Sequence, residues 1–327
     1  MRAPAFWWTA PGPAAAALAP IGWAVGAVAA RRLAAPPRER LAIPVVCIGN
    51  PTVGGAGKTP VAIAVARTLA EVGRSPVFLT RGYGGSMRGP VLVAGHDASE
   101  VGDEAVLLAA AAPTVVSADR AAGGRLASRH GDVVVMDDGF QNPQLAKDWS
   151  ALLIDATVGL GNRRVTPAGP LRAPLRAQAA RADAVVVVEG DDPDRAPLPM
   201  LPLPTFRVHL RASCDVALEG QSVTAFAGIG RPDKFFASVA ALGADVVATR
   251  AFADHQPYTE RQAGALLASA GQPVTTRKDV VRLAAGGPLA RRLAEVAAVV
   301  DVVAVLDPAL VEAVRRVVER RLSGRGG

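Results

Sequence analysis

The sequence has few cysteines, few aromatic residues and few lysines. Its two cysteines, Cys47 and Cys214, form neither a metal-binding nor a disulfide pattern, which favours a reducing cytosolic compartment. Aromatic residues make up 4% of the chain and are not interleaved with blocks of basic residues, so we expect no nucleic-acid partner. Only four of the 36 basic residues are lysines, and the remaining arginines suit anionic lipid or phosphate equally well. No obligate protein partner is evident.

Apolar residues make up half of the 327-residue chain, enough for two α/β domains. Short apolar runs separated by Ala-rich helical stretches predict a doubly wound parallel sheet over residues 36–205, with strands at 44–48, 76–80, 114–117, 132–136, 151–154 and 184–188. A Pro-rich segment, 191–206, reads as a linker. Residues 206–327 predict a second, smaller α/β domain, with strands at 222–227, 244–249, 273–276 and 302–306 and a final amphipathic helix at 308–322.

Residues 1–35 predict a membrane-associated helix. The apolar run 14–30 is closed by Arg31 and Arg32, and three of the four tryptophans lie in this segment. The spacing by three and four places one apolar stripe on the helix, formed by Leu18, Ile21, Val25 and Val28. The run is short for spanning a bilayer. A secretory signal peptide and a helix packed on the protein's own core are the two alternatives.

The segment "GNPTVGGAGKTP" resembles a phosphate-binding loop with Thr52 at the position of its usual first glycine. Glycines let the backbone turn its N–H groups inward, and the helix that follows points its positive end at a phosphate. Lys58 is expected to reach the β and γ oxygens, and the Thr59 hydroxyl to hold Mg²⁺. The predicted nucleotide-binding residues are Thr52, Val53, Gly54, Gly55, Ala56, Gly57, Lys58 and Thr59.

Three further segments carry acidic or basic groups. Asp137 and Asp138 follow an apolar strand, where nucleotide-binding folds place the Mg²⁺ carboxylate. Asp103 begins a helix, where an acidic residue is often only a partner of the helix dipole. His255 lies in a predicted loop of the second domain, and a lone histidine is more often structural than catalytic. The residues alone leave the roles of Asp103 and His255 open.

The ordered motifs of the chain are similar to those of the tetraacyldisaccharide 4'-kinase family of lipid A biosynthesis. They are "GNPTVGGAGKTP", "LTRGYGG", "GDEAVLLA", "VVMDDGFQN", "TPAGPLRAP", "AFAGIGRPDKFF", "FADHQPYT" and "TTRKD". The resemblance implies transfer of the γ-phosphoryl group of ATP to the 4'-hydroxyl of a tetraacyldisaccharide 1-phosphate, which gives lipid IVA. It implies a peripheral or singly anchored enzyme on the cytoplasmic face of the bacterial inner membrane.

The same resemblance implies roles for individual residues. Lys58 and Thr59 match the phosphate and Mg²⁺ ligands, and Asp137 and Asp138 match the second acidic motif. Asp103 matches the proposed catalytic base and His255 the partner that tunes it, and we expect the two to meet only when a hinge closes. Segments that also match the family contain Arg81, Tyr83 and Arg120, which are expected near the acceptor or the phosphates.

Two positions depart from the family pattern, since Ala173 replaces the glutamate of "LREP" and Arg277 the glutamate of "TTEKD". An acidic contact near the rim of the site is therefore absent from both positions. A membrane-associated regulatory ATPase is an alternative function, but Val53 stands where that class needs a second lysine. A GTPase module is another, but the lysine of "TRKD" is one place too late for guanine recognition.

Overall fold

The computed structural model describes residues 3–190 and 195–324. Residues 191–194, which begin the expected linker, lie outside the described residues. The strands are β1 (Val45–Gly49), β2 (Pro76–Thr80), β3 (Val91–Leu92), β4 (Thr114–Val116), β5 (Val133–Asp137), β6 (Trp149–Asp155), β7 (Ala184–Glu189), β8 (Thr205–Cys214), β9 (Ser222–Ala227), β10 (Asp245–Ala251), β11 (Gln272–Thr276) and β12 (Ala298–Leu306). They form one sheet in the order β10-β9-β11-β12-β8-β7-β6-β1-β5-β2-β4-β3.

The helices alternate with the strands along most of the chain. They are α1 (Pro13–Ala17), α2 (Ala19–Ala34), α3 (Lys58–Glu71), α4 (Ala98–Val101), α5 (Asp103–Ala109), α6 (Arg120–Ala127), α7 (Leu175–Ala179), α8 (Pro232–Ala241), α9 (Glu260–Leu267), α10 (Arg277–Ala284), α11 (Pro288–Val296) and α12 (Pro308–Ser323). A 3₁₀ turn, Ala5–Trp7, precedes them. The predicted α/β class and the final amphipathic helix are confirmed.

Residues 36–205, here called the core half, hold the doubly wound part of the sheet. Strands β1, β2, β4, β5, β6 and β7 pair in parallel, and the short edge strand β3 pairs antiparallel with β4. Their apolar runs are buried on both faces because helices cover both sides of the sheet, with α3 on one and α6 and α7 on the other. Ile48 pairs with Asp137, so the phosphate-binding loop and the acidic pair emerge side by side at one edge.

Residues 206–324, here called the C-terminal half, continue the same sheet. Strand β8 pairs in parallel with β7 and antiparallel with β12, so it joins the two halves. The sequence analysis missed β8 because its alternating polar residues follow the Pro-rich segment and form no continuous apolar run. It also missed the two-residue strand β3. The division into two domains stays a prediction.

Helix α2 lies against the core half through small residues. A side chain at Gly22 would meet the Val165 carbonyl at 2.7 Å, and one at Gly26 would meet Pro174 at 3.4 Å. The opposite face exposes apolar side chains, and Trp23 is 78% exposed. None of the helices within residues 3–190 and 195–324 has both the length and the apolar character that crossing a bilayer requires.

Candidate active site

The phosphate-binding loop connects β1 to α3. Gly57 adopts a φ of +73°, and a Cβ atom there would lie 2.8 Å from Leu210 of β8, so only glycine fits this position without a shift of its neighbours. Gly54 has a φ of +113° and forms the tip of the loop together with Gly55. Lys58 begins α3 and is buried at the base of the loop. The local geometry is that of an anion-binding helix N-terminus.

Thr52 stands in an extended pairing rather than in a tight turn. It forms an antiparallel bridge with Leu171, and the neighbouring Val53 N–H donates to the Pro170 carbonyl at 2.7 Å. The first part of the loop therefore pairs with the segment around "GPLR". This pairing gives a physical reason why a glycine is not needed at position 52.

Thr59 and Asp137 contact each other at the carboxyl edge of the sheet. The Thr59 hydroxyl donates to Asp137 Oδ2 at 2.9 Å, while Asp137 Oδ1 is buried and has no hydrogen-bond partner among the described residues. Burial, reinforced by the charge of Glu104, raises the pKa of Asp137 to about 7. The pair thus presents an unsatisfied carboxylate oxygen beside the phosphate-binding loop.

Asp138 lies between two cations. Its Oδ1 is 3.8 Å from Lys58 Nζ, and both terminal nitrogens of Arg172 lie 3.1 Å from the carboxylate. Burial alone would raise the pKa of Asp138, but Lys58 and Arg172 outweigh burial and hold its pKa below the ordinary value. Asp138 has a φ of +53°, an uncommon conformation for a residue other than glycine, which aims its side chain at these partners.

Arg172 is a site residue to which the sequence analysis assigned no function. Its Nε donates to the Thr52 carbonyl at 2.9 Å while its terminal nitrogens hold Asp138, so it connects the phosphate-binding loop to the acidic motif. The sequence feature that could have indicated a function for Arg172 is its place in the family-like motif "TPAGPLRAP". The adjacent Ala173 is fully buried in the apolar core, so position 173 supplies no carboxylate to the site.

Asp103 and His255 come together across the two halves. Asp103 begins α5 in the core half, and its Oδ2 lies 3.0 Å from His255 Nδ1 of the C-terminal half. Burial alone would raise the pKa of Asp103, but the hydrogen bond from His255 and the charges of Lys278 and Arg282 hold it below the ordinary value. The hydrogen bond to Asp103 in turn raises the pKa of His255. Each group stabilises the charged form of the other.

Two cations of α10 complete this part of the site. Arg282 Nε lies 3.6 Å from Asp103 Oδ2, and its Nη2 pairs with the fully buried Asp279 at 2.8 Å. Lys278 Nζ pairs with Glu104 at 2.7 Å. In the sequence, Lys278 and Asp279 are part of the motif "TTRKD", and no individual function was predicted for them or for Arg282. Their position in space is what indicates a function, because Lys278 and Arg282 pair with the first residues of α5 and Asp279 holds Arg282.

The three residues expected near the acceptor differ in their surroundings. Tyr83 is exposed and its ring meets that of His255 edge-on, with the centroids 5.2 Å apart. Arg81 lines the cleft. Arg120 is buried and donates to the Ser117 carbonyl, and burial, aided by the charge of Arg81, lowers its pKa to about 10. All three face the same cleft.

Arg277, the second departure from the family pattern, forms a two-pronged pair with Asp301 of β12. Its Nη2 lies 2.7 Å from Asp301 Oδ2 and its Nε lies 3.0 Å from Oδ1. Both residues line the cleft wall that belongs to the C-terminal half. Position 277 therefore carries a cation whose charge is neutralised by Asp301.

A cleft of about 2850 Å³ joins these groups. One wall carries the phosphate-binding loop, and the other carries His255 and Lys278 of the C-terminal half. The lining continues to Trp8 and Arg32 beside α2. A nucleotide site and the base of the exposed helix thus open into one space.

The parallel sheet, the phosphate-binding loop and the adjacent carboxylates define a P-loop nucleotide-binding protein. A family model described as tetraacyldisaccharide-1-P 4'-kinase matches residues 14–319. The chain belongs to this family. The match also argues against the regulatory ATPase and the GTPase module.

Curated relatives and a solved structure agree with this assignment. The tetraacyldisaccharide 4'-kinase of Methylobacterium nodulans is 51% identical over 302 residues, which cover 88% of this chain and 89% of the relative. The enzyme of the same name from Rhodospirillum rubrum is 50% identical over 295 residues, or 86% and 89% of the two chains. The structure of LpxK from Aquifex aeolicus in complex with ATP has a TM-score of 0.76 and 25% identity, and covers 94% of this chain and 99% of its own.

Proposed function

We propose that this protein transfers the γ-phosphoryl group of ATP to the 4'-hydroxyl of a tetraacyldisaccharide 1-phosphate, forming lipid IVA. The observation that carries the proposal is the contact between the buried Asp103 and His255, which lines the cleft that also holds the phosphate-binding loop. A phosphate-binding loop alone fits many NTPases. A buried carboxylate paired with a histidine in the same cleft adds an acceptor for a hydroxyl proton.

The nucleotide phosphates bind at the loop from Thr52 to Thr59. The loop N–H groups and the start of α3 face the phosphates, and Lys58 neutralises their charge. In the described structure Lys58 Nζ lies 3.8 Å from Asp138, and Arg172 also neutralises that carboxylate. Lys58 is therefore held beside the loop with its charge partly compensated until phosphate oxygens take over as partners.

The residues beside the loop fit Mg²⁺. Thr59 and Asp137 offer oxygen ligands, and Asp137 Oδ1 is buried without a partner among the described residues. One or two carboxylates together with phosphate oxygens are the usual ligands of Mg²⁺ in kinases, and Asp138 supplies the second carboxylate. When bound, the cation neutralises charge that develops on the transferred group.

Asp103 accepts the proton of the 4'-hydroxyl. Phosphoryl transfer passes through a loose transition state in most accounts, so the hydroxyl proton becomes acidic only late and a strong base is not required. A carboxylate with a lowered pKa is ionised at neutral pH and ready to accept. His255 and Arg282 hold Asp103 Oδ2, which fixes the orientation of this carboxylate behind His255, and His255 itself lines the cleft.

The acceptor is a lipid, and α2 offers a surface for reaching it. It exposes Ile21, Val25 and Val28 along one stripe and Trp23 on a different side of the helix, and Arg31 and Arg32 lie in its last turn. Apolar side chains with flanking arginines suit the boundary between acyl chains and anionic head groups. We place the enzyme peripherally at the cytoplasmic face of the bacterial inner membrane, where ATP is available.

The direct test is to incubate the protein with radiolabelled ATP, Mg²⁺ and tetraacyldisaccharide 1-phosphate in detergent micelles. Label is expected to move to the lipid. A disaccharide that already carries a 4'-phosphate is the matched control and should stay unlabelled. Hydrolysis of ATP without labelled lipid would contradict the proposed activity and would favour a regulatory ATPase.

A further inference from the structure

One side chain of the C-terminal half reaches the phosphate-binding loop itself. Arg231 precedes α8, and its Nη2 donates to the Gly55 carbonyl at 3.1 Å. The same nitrogen forms an ion pair with Asp155 at the carboxyl end of β6. Neither Arg231 nor Asp155 is among the residues that bind phosphate, bind Mg²⁺ or accept the proton in the proposed reaction. The contact joins the two halves at the nucleotide end of the cleft.

Asp155 is a buried carboxylate that depends on this arginine. One of its oxygens accepts the Thr157 N–H at 2.9 Å, and the other meets Arg231. Burial alone would raise the pKa of Asp155, but the charge and hydrogen bond of Arg231 hold it below the ordinary value. Removing the arginine would leave a buried charge without its closest cation, an arrangement that proteins avoid.

The tip of the loop has little other support. An added Cβ at Gly54 or Gly55 would meet no atom within 4 Å, so the Cα side of the tip faces open space. From the core half, Asn50 donates to the Gly54 carbonyl at 3.1 Å. From the C-terminal half, Arg231 holds the Gly55 carbonyl. Because glycine backbone is intrinsically free, two hydrogen bonds on adjacent carbonyls largely set the conformation of the tip.

We propose that Arg231 is a positioning residue for ATP. With Asp155 it fixes the Gly54–Gly55 tip in the conformation that binds phosphate, and it makes that conformation depend on the placement of the C-terminal half. Arg231 acts on the loop and not on the reacting atoms. The inference rests on the proposed kinase function only for its activity readout, because ATP binding can be measured directly.

A neighbouring ion pair provides the control. Arg207 pairs with Glu189 at the end of β7, one strand further along the sheet from Asp155, but Arg207 has no contact with the phosphate-binding loop. Arg207→Met therefore removes an arginine from a similar strand-end carboxylate without touching Gly55. Arg231→Met is the matching test variant, and Arg231→Lys keeps the cation.

The full-length variants are compared by ATP titration calorimetry, by steady-state kinetics with both substrates and by thermal unfolding. Arg231→Met should weaken ATP binding and raise KM for ATP roughly tenfold, because a hydrogen-bonded charge is lost. KM for the disaccharide should change little, whereas the midpoint of unfolding should fall, because Asp155 is left buried without its closest cation. Arg207→Met should match the unsubstituted protein, and Arg231→Lys should recover most of the ATP affinity.

A double variant tests the pairing. If Arg231 acts through Asp155, then Arg231→Met combined with Asp155→Asn should bind ATP no more weakly than Arg231→Met alone, since residues in direct contact are not additive. ATP affinity within twofold of the unsubstituted protein in Arg231→Met would overturn the proposal. So would equal rises in KM for ATP and in KM for the disaccharide, which would indicate a structural role alone. Unsubstituted protein that binds ATP but phosphorylates no lipid would refute the kinase function and still leave the binding comparison to decide.

Discussion

The two ends of the cleft are built in different ways. At the nucleotide end, Thr59 and Asp137 are 78 residues apart in the chain, but Asp137 ends β5 and Thr59 lies in the first turn of α3, which the phosphate-binding loop connects to the neighbouring parallel strand β1. At the acceptor end, Asp103 and His255 are 152 residues apart and belong to different halves. The first arrangement follows from sheet topology. The second exists only when the two halves have the correct relative placement.

Because of this difference, substitutions at the two ends of the cleft are expected to impair the enzyme in different ways. Substitutions at the nucleotide end remove charge neutralisation that every turnover needs, whatever the position of the C-terminal half. Substitutions at the acceptor end remove a proton acceptor or its tuning while leaving the phosphate-binding loop intact. The two ends are therefore expected to differ in kinetics: substitutions at the nucleotide end should impair both ATP binding and turnover, and those at the acceptor end should impair turnover with little change in ATP binding.

The largest effect is expected for Lys58→Ala. Phosphoryl transfer depends mostly on positioning and charge neutralisation, so kcat should fall by roughly 10³-fold or more. Circular dichroism should show an unchanged fold, because β1 and α3 keep their apolar contacts. Thr68→Ala, further along α3 and bonded only to the Ala64 carbonyl, is a control that should retain activity. Robust lipid phosphorylation by Lys58→Ala would break the assignment of the nucleotide end.

Asp103→Asn should be the second largest effect. General base catalysis contributes about 10²- to 10⁴-fold, so kcat should fall within that range while KM for ATP changes little. Asp97→Asn is the matched control, since Asp97 also sits at the start of a short helix but acts only as its cap. Turnover that is unchanged in Asp103→Asn would remove this residue as the base.

The pH dependence of activity distinguishes the function of His255 from that of the base, Asp103. Activity requires ionised Asp103, so it is lost as the pH falls through the pKa of that carboxyl, which His255 helps to lower. In His255→Ala the pKa of Asp103 should rise, and the acid limb of the kcat profile should move up by about one pH unit. Asp254→Asn, which alters a more distant contact 3.7 Å from His255 Nε2, should shift the limb less. An acid limb that stays in place would show that His255 does not tune Asp103.

The same pair makes stability depend on pH in two directions. The Asp103 contribution is present above the unfolded pKa of a carboxyl and is lost as the pH falls through its lowered folded pKa. The His255 contribution is present below the unfolded pKa of histidine and is lost as the pH rises through its raised folded pKa. The midpoints of thermal unfolding of the unsubstituted protein and of His255→Ala, measured from acid to alkaline pH, should therefore converge at high pH.

The smallest effect is expected on α2. Ile21→Ser combined with Val25→Ser should lower binding to anionic phospholipid vesicles by roughly tenfold, because two exposed apolar side chains no longer enter the lipid. Activity on micellar substrate should change little, since neither residue lines the cleft. Val247→Ser, on an exposed strand of the C-terminal half, is the control. Unaltered vesicle binding would favour a helix that serves only the protein's own packing.

Much of the nucleotide end was accessible from the sequence. A buried strand, a glycine-rich loop and a helix follow each other without interruption, and Asp137 ends another buried strand, so local pattern and parallel topology place these groups together. The predicted linker, 191–206, is wrong from Thr205 onward, because β8 begins there. A strand with alternating polar residues gives a weak signal when its partners, β7 and β12, lie in different parts of the chain.

The sequence by itself determined the α/β class, the phosphate-binding loop and the family, because these depend on local spacing and on an ordered set of motifs. The family resemblance implied that His255 partners Asp103, and the tertiary structure decided the geometry of this pair and which other distant charges meet. The pairing of Asp103 with His255, the bridge from Arg172 to Asp138 and the reach of Arg231 to Gly55 join residues far apart in the chain. Spacing along the chain does not encode such contacts, since they depend on how the C-terminal half and the segment around Arg172 pack against the sheet of the core half.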